Sequence, residues 1–121
     1  MIEKRPQQRR FPRVDMHLPV RYQRRGYPEM DSTLSEDISI QGLRLVADRF
    51  IAPRTPLSVE INLPAHILRL TGRIAWVSSM AHSDRTRLGI EFVELDPNDR
   101  ISLANYITGH IAKRKREQRE A

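Results

Sequence analysis

The chain has 121 residues, of which 21 are Lys or Arg and 15 are Asp or Glu, so its net charge is +6. That length suits one domain with its own core, and the lack of cysteine excludes disulfides and a thiolate nucleophile. No apolar run approaches the ~20 residues of a membrane helix, and the basic start lacks the apolar stretch of a signal peptide, so we expect a cytoplasmic protein.

The chain opens with a basic arm. Residues 1–25 carry eight Lys or Arg and two acidic residues, a net charge of +6, and the stretch RRFPRVD holds Arg9, Arg10 and Arg13. Residues 1–13 show no hydrophobic periodicity, so we expect the arm to be mobile without a ligand. Arginine binds phosphate through its planar fork and stacks on aromatic bases, which indicates a partner that carries both groups.

Strand-like alternation dominates the body of the chain. Apolar and polar residues alternate with a period of two in about six short runs, and this period is typical of half-buried strands. The runs cover residues 14–22, 30–40, 43–46, 57–63, 68–76 and 88–92. Because turns join successive strands, we expect an antiparallel sheet, and this many strands in so small a domain favour a barrel.

The second run contains a polar face. Met30 and Leu34 lie on its apolar parity, whereas Asp37 and Ser39 lie on the other. We therefore expect Asp37 and Ser39 to point away from the core. Gly42 follows and permits either a close backbone approach or a positive φ. A carboxylate accepts two hydrogen bonds side by side, which suits the N1–H and amine edge of guanine.

The period changes after residue 95 and predicts one amphipathic helix over residues 97–112. Asp96 before Pro97 is a good N-cap with proline at the first helical position. The residues expected on its buried face are Ile101, Ala104, Ile107 and Ile111. Residues 113–121 carry five basic and two acidic residues, a net charge of +3, and are expected to form a solvated tail. The predicted organisation is an arm (1–13), a barrel domain with its helix (14–112) and a tail (113–121).

No catalytic constellation is evident in the sequence. The four histidines are far apart and lack metal-ligand spacing. There is no nucleophile elbow and no glycine-rich loop before a helix. Asp96 and Asp99 form a carboxylate pair that helix capping explains. We therefore predict a protein that is not an enzyme and that uses no metal or cofactor.

Two motifs resemble those of the PilZ domain family. Arg9 and Arg13 match the motif R-x-x-x-R within RRFPR. Asp37, Ser39 and Gly42 match the second motif, [DN]-x-S-x-x-G. One strand out and one strand back separate the two motifs, as in that family. The stretches LTGRIAWV and RLGIEFVEL resemble the family's two later strands, so the resemblance covers nearly the whole chain.

The resemblance implies an all-β fold with one C-terminal helix, a six-stranded antiparallel PilZ-type β-barrel. It also implies a receptor for cyclic di-GMP, a bacterial second messenger, that relays a ligand-induced change to an unidentified protein partner. Gln8 stands before the first motif, where some relatives have another basic residue, so one bound ligand and a stacked pair both stay open.

The same resemblance assigns residues to the ligand. They are Arg9, Arg10, Arg13, Asp37, Ser39, Gly42 and Trp76. The arginines would bind phosphate and guanine, Asp37 and Ser39 would bind a guanine edge, and Gly42 would leave room for the ligand. Trp76 would lie near it, although its parity in an alternating run is more typical of a core residue.

Two alternatives remain open from the sequence. One is a small barrel that binds single-stranded nucleic acid through a basic groove and stacked aromatics. Against it, residues 26–112 carry eight basic and eleven acidic residues, and the chain has only three Tyr, three Phe and one Trp. The other is a PilZ-like protein–protein adaptor that has lost ligand binding, against which the intact motifs count.

Overall fold

The computed structural model of the chain describes residues 12–120. Seven β-strands are followed by one α-helix. The elements are β1 (Val14–Asp15), β2 (Pro19–Arg24), β3 (Asp31–Ile38), β4 (Gly42–Ala47), β5 (Pro56–Leu63), β6 (His66–Ser79), β7 (Thr86–Glu94) and α1 (Pro97–Glu120).

Six of the strands close into an antiparallel barrel. The order around the ring is β3-β2-β5-β6-β7-β4, and pairing of β4 with β3 closes it. The two-residue strand β1 is added beside β3, with Val14 opposite Ile38 and Asp15 opposite Asp37. Closure leaves no long unpaired edge in the ring. The predicted six-stranded barrel with one C-terminal helix is confirmed.

The first predicted strand is interrupted. Its alternation holds throughout, since Val14, Met16, Leu18 and Val20 are all buried, but the strand breaks between β1 and β2. Ser35 of β3 bridges the gap, because its hydroxyl donates to the carbonyl of Met16 at 2.5 Å and accepts from the N–H of Leu18 at 2.9 Å. The side chain thus replaces ladder bonds that the break removes.

The helix begins as predicted, and its predicted buried face is confirmed except at Ile101, since Ile107 is buried and Ala104 and Ile111 are partly buried. Asp96 accepts a hydrogen bond from the N–H of Asn98 at 2.8 Å, so the predicted N-cap is confirmed. Leu103 and Ile107 are buried in the same core as the barrel residues. Ile101, expected on the buried face, is 58% exposed. Residues three and four apart share a helix face. Leu103 lies four positions before Ile107, so the same spacing rule also allows Leu103 on the buried face.

The helix also extends beyond its predicted end at residue 112. It continues to Glu120, so the segment expected to be a solvated tail is helical. Residues 112–119 are nevertheless exposed, as expected for a run of charged side chains. Within residues 12–120 no helix combines the length and the apolar character that a membrane crossing needs.

Candidate functional site

An ion-paired cluster of three side chains lies where β1, β3 and β4 meet. Arg13, directly before β1, donates from Nη1 to Oδ1 of Asp37 at 2.9 Å. Arg44 of β4 donates to the other carboxylate oxygen, from Nε at 2.7 Å and also from Nη2. The side chain of Asp37 is only 3% exposed. The structure therefore joins one residue from each of the two predicted motifs, Arg13 and Asp37.

Arg44 is the member of this cluster that sequence reasoning missed. It stands directly opposite Asp37 in the β3–β4 ladder. In β4 it lies on the face opposite to Leu43 and Leu45, both of which are buried in the core, so its side chain points away from the core. The sequence contained a signal for this pairing. The stretch DISIQGLR forms a hairpin that turns about its middle, so its first residue, Asp37, lies opposite its last, Arg44.

The cluster consists of two guanidinium groups around one carboxylate, so it carries a net positive charge. Burial alone would raise the pKa of Asp37, but hydrogen bonds from Arg44 and Arg13 outweigh it and hold the pKa below the usual 3.8. The hydrogen bond to Asp37 in turn raises the pKa of Arg44. Asp37 therefore stays ionised at neutral pH, and Arg44 stays charged.

We expect acid to weaken the fold through this carboxylate. Because the folded pKa of Asp37 lies below its unfolded value of 3.8, the stability that it contributes is present above that value and is lost as the pH falls through the folded pKa. Thermal unfolding of wild type and Asp37→Asn from pH 7 to about pH 3 measures this. The gap between their melting temperatures should shrink in acid, and a gap independent of pH would contradict the expectation.

The polar side chains at positions 35, 37 and 39 are buried, although Asp37 points away from the barrel core as expected, on the face opposite to the buried Ile38. Ser35, Asp37 and Ser39 are at most 2% exposed, whereas Leu34 is 54% exposed and Met30 is also exposed. The β3–β4 register shifts between Ser35 and Asp37, and such a bulge changes the face that successive side chains occupy. Asp37 is covered by guanidinium groups, so its removal would leave two cations without their carboxylate.

Ser39 and Gly42 build the turn between β3 and β4. The Ser39 hydroxyl accepts from the N–H of Gln41 at 3.1 Å, and the Ser39 N–H donates to the carbonyl of Gly42 at 2.8 Å. A Cβ on Gly42 would overlap the carbonyl oxygen of Ile90 in β7. The close approach expected of Gly42 is thus present, while the alternative of a positive φ is not.

Trp76 lies outside the core, although its parity favoured the core. It is 38% exposed, and the β6–β7 register shifts between Ile74 and Trp76. Its indole covers Gly89 of β7, where a Cβ would overlap ring atoms. The same small depression is lined by Arg13 and Gly42. The structure therefore brings Trp76 beside both motifs.

Three depressions adjoin at the ion-paired cluster. One of about 140 Å³ contains Arg13, Arg44 and Trp76. A second, of about 430 Å³, shares Arg44 and adds Asp15 with the Glu36–Arg87 pair, whose two hydrogen bonds are 2.7 and 3.0 Å long. A third, of about 280 Å³, shares Arg13 and Asp15 with the other two. The shared residues make this a continuous surface, rich in arginine.

Part of the predicted site lies outside the described residues. Arg9 and Arg10 fall there, as does the predicted mobile arm up to residue 11. Arg13, which was assigned to that arm, is instead held by Asp37. Among residues 12–120, no group of three His, Asp or Glu side chains is placed to hold a metal ion.

Comparison with known proteins identifies one family. The model of the PilZ domain matches residues 7–109. Among curated proteins, none matches the chain.

Solved structures match across nearly the whole chain. The inhibitor of motility MotI/DgrA of Bacillus subtilis is 27% identical, with a TM-score of 0.77 over 92% of this chain and 55% of that one. YcgR of Escherichia coli, in complex with c-di-GMP, is 15% identical, with a TM-score of 0.74 over 93% and 50%. The MrkH–c-di-GMP complex of K. pneumoniae is 19% identical, with a TM-score of 0.78 over 96% and 57%. The chain thus spans about half the length of these solved proteins.

Proposed function

Because the chain belongs to the PilZ domain family, we propose that it is a receptor for cyclic di-GMP. One observation carries this proposal: Arg13 and Asp37, one from each motif, are ion-paired at the point where three surface depressions adjoin. YcgR and MrkH, whose folds are similar, were solved with that ligand bound, which supports the choice of ligand class.

The size of the surface suits a cyclic dinucleotide. Such a ligand carries two guanines and two phosphates, and a single depression of about 140 Å³ is too small for it. The adjoining depressions of about 280 and 430 Å³ extend the surface on either side of Arg13 and Arg44. We propose that the ligand spans them.

Each chemical group of the ligand has a complementary side chain in the proposed site. Arg13 and Arg44 offer planar forks for phosphate or for the Hoogsteen edge of guanine. The Nε donor of Arg13 is buried and has no acceptor among the described residues, so a ligand oxygen would complete its hydrogen bonding once the side chain shifts. The partly exposed indole of Trp76 offers a face for stacking. Arg9 and Arg10 are proposed to close over the ligand.

Asp37 is proposed to exchange partners on binding. Both of its oxygens accept hydrogen bonds from arginine in the free protein. A guanine edge presents two donors to one carboxylate, and it would compete with the Arg13 fork for Oδ1. Release of Arg13 toward a phosphate would then accompany recognition of guanine. Ser39 and Gly42 would act indirectly, because both are committed to the turn that positions Asp37 and Arg44.

We further propose that this exchange is relayed to a protein partner. The rearranged group lies beside β1, and β1 leads directly into the arm that contains Arg9 and Arg10. A ligand that orders this segment would present a new surface, at an entropic cost of roughly 1–2 kcal/mol for each residue fixed.

Calorimetric titration of the wild-type protein tests the ligand. We expect saturable binding of cyclic di-GMP and much weaker binding of cyclic di-AMP, whose base lacks the N1–H donor that a carboxylate accepts. Raising the salt from about 50 to 200 mM should weaken the binding of cyclic di-GMP only modestly. The affinity for a polyanion, by contrast, falls by about 10³–10⁵-fold over that range when six to ten phosphates are contacted. Tight, steeply salt-dependent binding of single-stranded DNA, without binding of cyclic di-GMP, would contradict the proposal.

A further inference from the structure

The last turns of α1 place a basic face against the site. Ile111 is the last partly buried apolar residue of the helix, and residues 112–119 are exposed. Arg114, Lys115 and Gln118 nevertheless line the depression of about 280 Å³ that contains Arg13. These helix residues follow Ile111 by three, four and seven positions, so they form one continuous face. That face is directed at the start of β1.

Positive charge in this depression exceeds negative charge. Arg13, Arg114 and Lys115 line it, with Asp15 as the single carboxylate. Arg13 is already paired with Asp37. Among residues 12–119, no carboxylate lies within ion-pair distance of Arg114 or Lys115. Cations that share a depression repel one another, and a bound anion relieves that repulsion.

Helix electrostatics alone do not explain this arrangement. Basic side chains near a helix C-terminus interact favourably with its dipole, wherever they lie around the axis. That effect is confined to the last turn, where the basic residue is Arg119. Lys113 and Arg116 carry the same charge as Arg114 and Lys115, but neither lines the depression. What distinguishes Arg114 and Lys115 is their position opposite Arg13.

We propose that Arg114 and Lys115 are further ligand-contacting residues that bind a phosphate group of the cyclic dinucleotide. The proposal rests on the proposed function and extends it, since it makes α1 one wall of the site. The depression shares Arg13 with the one that contains Trp76, and it shares Asp15 with the one that contains Arg44. A ligand anchored at the ion-paired cluster would therefore need to extend only into an adjoining depression to contact the helix.

A charge-matched pair of double variants tests this assignment. R114A/K115A and K113A/R116A each remove two positive charges from the same four residues, and alanine preserves the helix. By calorimetry, R114A/K115A should bind cyclic di-GMP about tenfold more weakly than wild type, and K113A/R116A less than twofold. Equal losses would show a general field effect and overturn the proposal, as would the absence of loss in both.

A second probe separates this proposal from the proposed function. If wild type does not bind cyclic di-GMP, the proposed function fails, and inorganic pyrophosphate then decides the inference. In NMR titration, shifts of the Arg13, Arg114 and Lys115 amides that exceed those of Lys113 and Arg116 support a phosphate site on this wall. Uniform shifts, or none, overturn it.

Discussion

Replacing Arg13 with alanine should weaken binding of cyclic di-GMP by about ten- to hundredfold, because a charge-assisted hydrogen bond is lost. Arg13 lines two of the three adjoining depressions. The fold should survive, since Asp37 keeps both hydrogen bonds from Arg44. The loss of one hydrogen bond to Asp37 should lower the melting temperature without ligand by no more than about 4–8 °C, and the rise on adding ligand should shrink by mass action.

Calorimetry and thermal shift together measure this effect. Arg69→Ala is the matched control, because Arg69 is an exposed arginine paired with Glu60 at 3.2 Å and lines none of the three depressions. Arg13→Lys should fall between wild type and Arg13→Ala, since lysine keeps the charge but loses the fork. If Arg13→Ala binds like Arg69→Ala, the proposed site is wrong. Asp37→Ala is a less clean variant, because it also removes a buried carboxylate from two guanidinium groups.

Replacing Gly42 with alanine should destabilise the protein by about 2–3 kcal/mol, which lowers the melting temperature by roughly 8–12 °C. The added Cβ would overlap the carbonyl oxygen of Ile90 and would lie 3.2 Å from Cα of Glu91. Both are backbone atoms of β7, the strand that pairs with β4, so neither can rotate away as a side chain would. Thermal or denaturant unfolding measures the loss.

Gly109→Ala is the control, and it should change the stability in the opposite direction. Gly109 lies within α1, and nothing stands within 4 Å of the position of its Cβ. Alanine there should stabilise the helix by about 0.5–1 kcal/mol. If Gly42→Ala proves as harmless as Gly109→Ala, the barrel tolerates separation of β4 from β7, and a packing role for Gly42 is excluded.

The barrel strands and the helix start were predictable because their signals are local. Val20 and Tyr22 in β2, and Leu57 to Leu63 in β5, alternate with the pleat, and the buried positions agree with that alternation. Asp96 before Pro97 marks the helix start through hydrogen bonding within a few residues. Such patterns depend on the backbone of one element alone.

The misplaced side chains all depend on neighbouring elements. Ser35 is buried where its hydroxyl bonds the backbone at the break between β1 and β2, Leu34 is exposed, and a register shift at β6 moves Trp76 to the surface. A bulge is set by the pairing with an adjacent strand, which a one-strand period does not contain. Ile101 is exposed for a similar reason: packing against the barrel, not the sequence of the helix alone, determines which side of α1 is covered.

The ion-paired cluster was predictable only in part. Arg13 and Asp37 were selected by motif, and their direct pairing follows from the addition of β1 to β3. Arg44 could have been found from the hairpin register alone. Arg114 and Lys115 lie outside this cluster, and their position near Arg13 could not be predicted, because it depends on how the last turns of the helix lie against the start of β1.

Trp76 would give the protein an optical reporter of the proposed site. It is the single tryptophan of the chain, and its half-open indole borders the depression that Arg13 and Gly42 also line. Emission from selectively excited tryptophan therefore comes from this position alone, with no background from a second indole elsewhere. Occupancy by a purine ring, or a shift of the neighbouring guanidinium, changes the polarity and quenching at that ring. Ligand exchange at the proposed site could thus be followed on the unlabelled protein in real time, in stopped flow as well as at equilibrium.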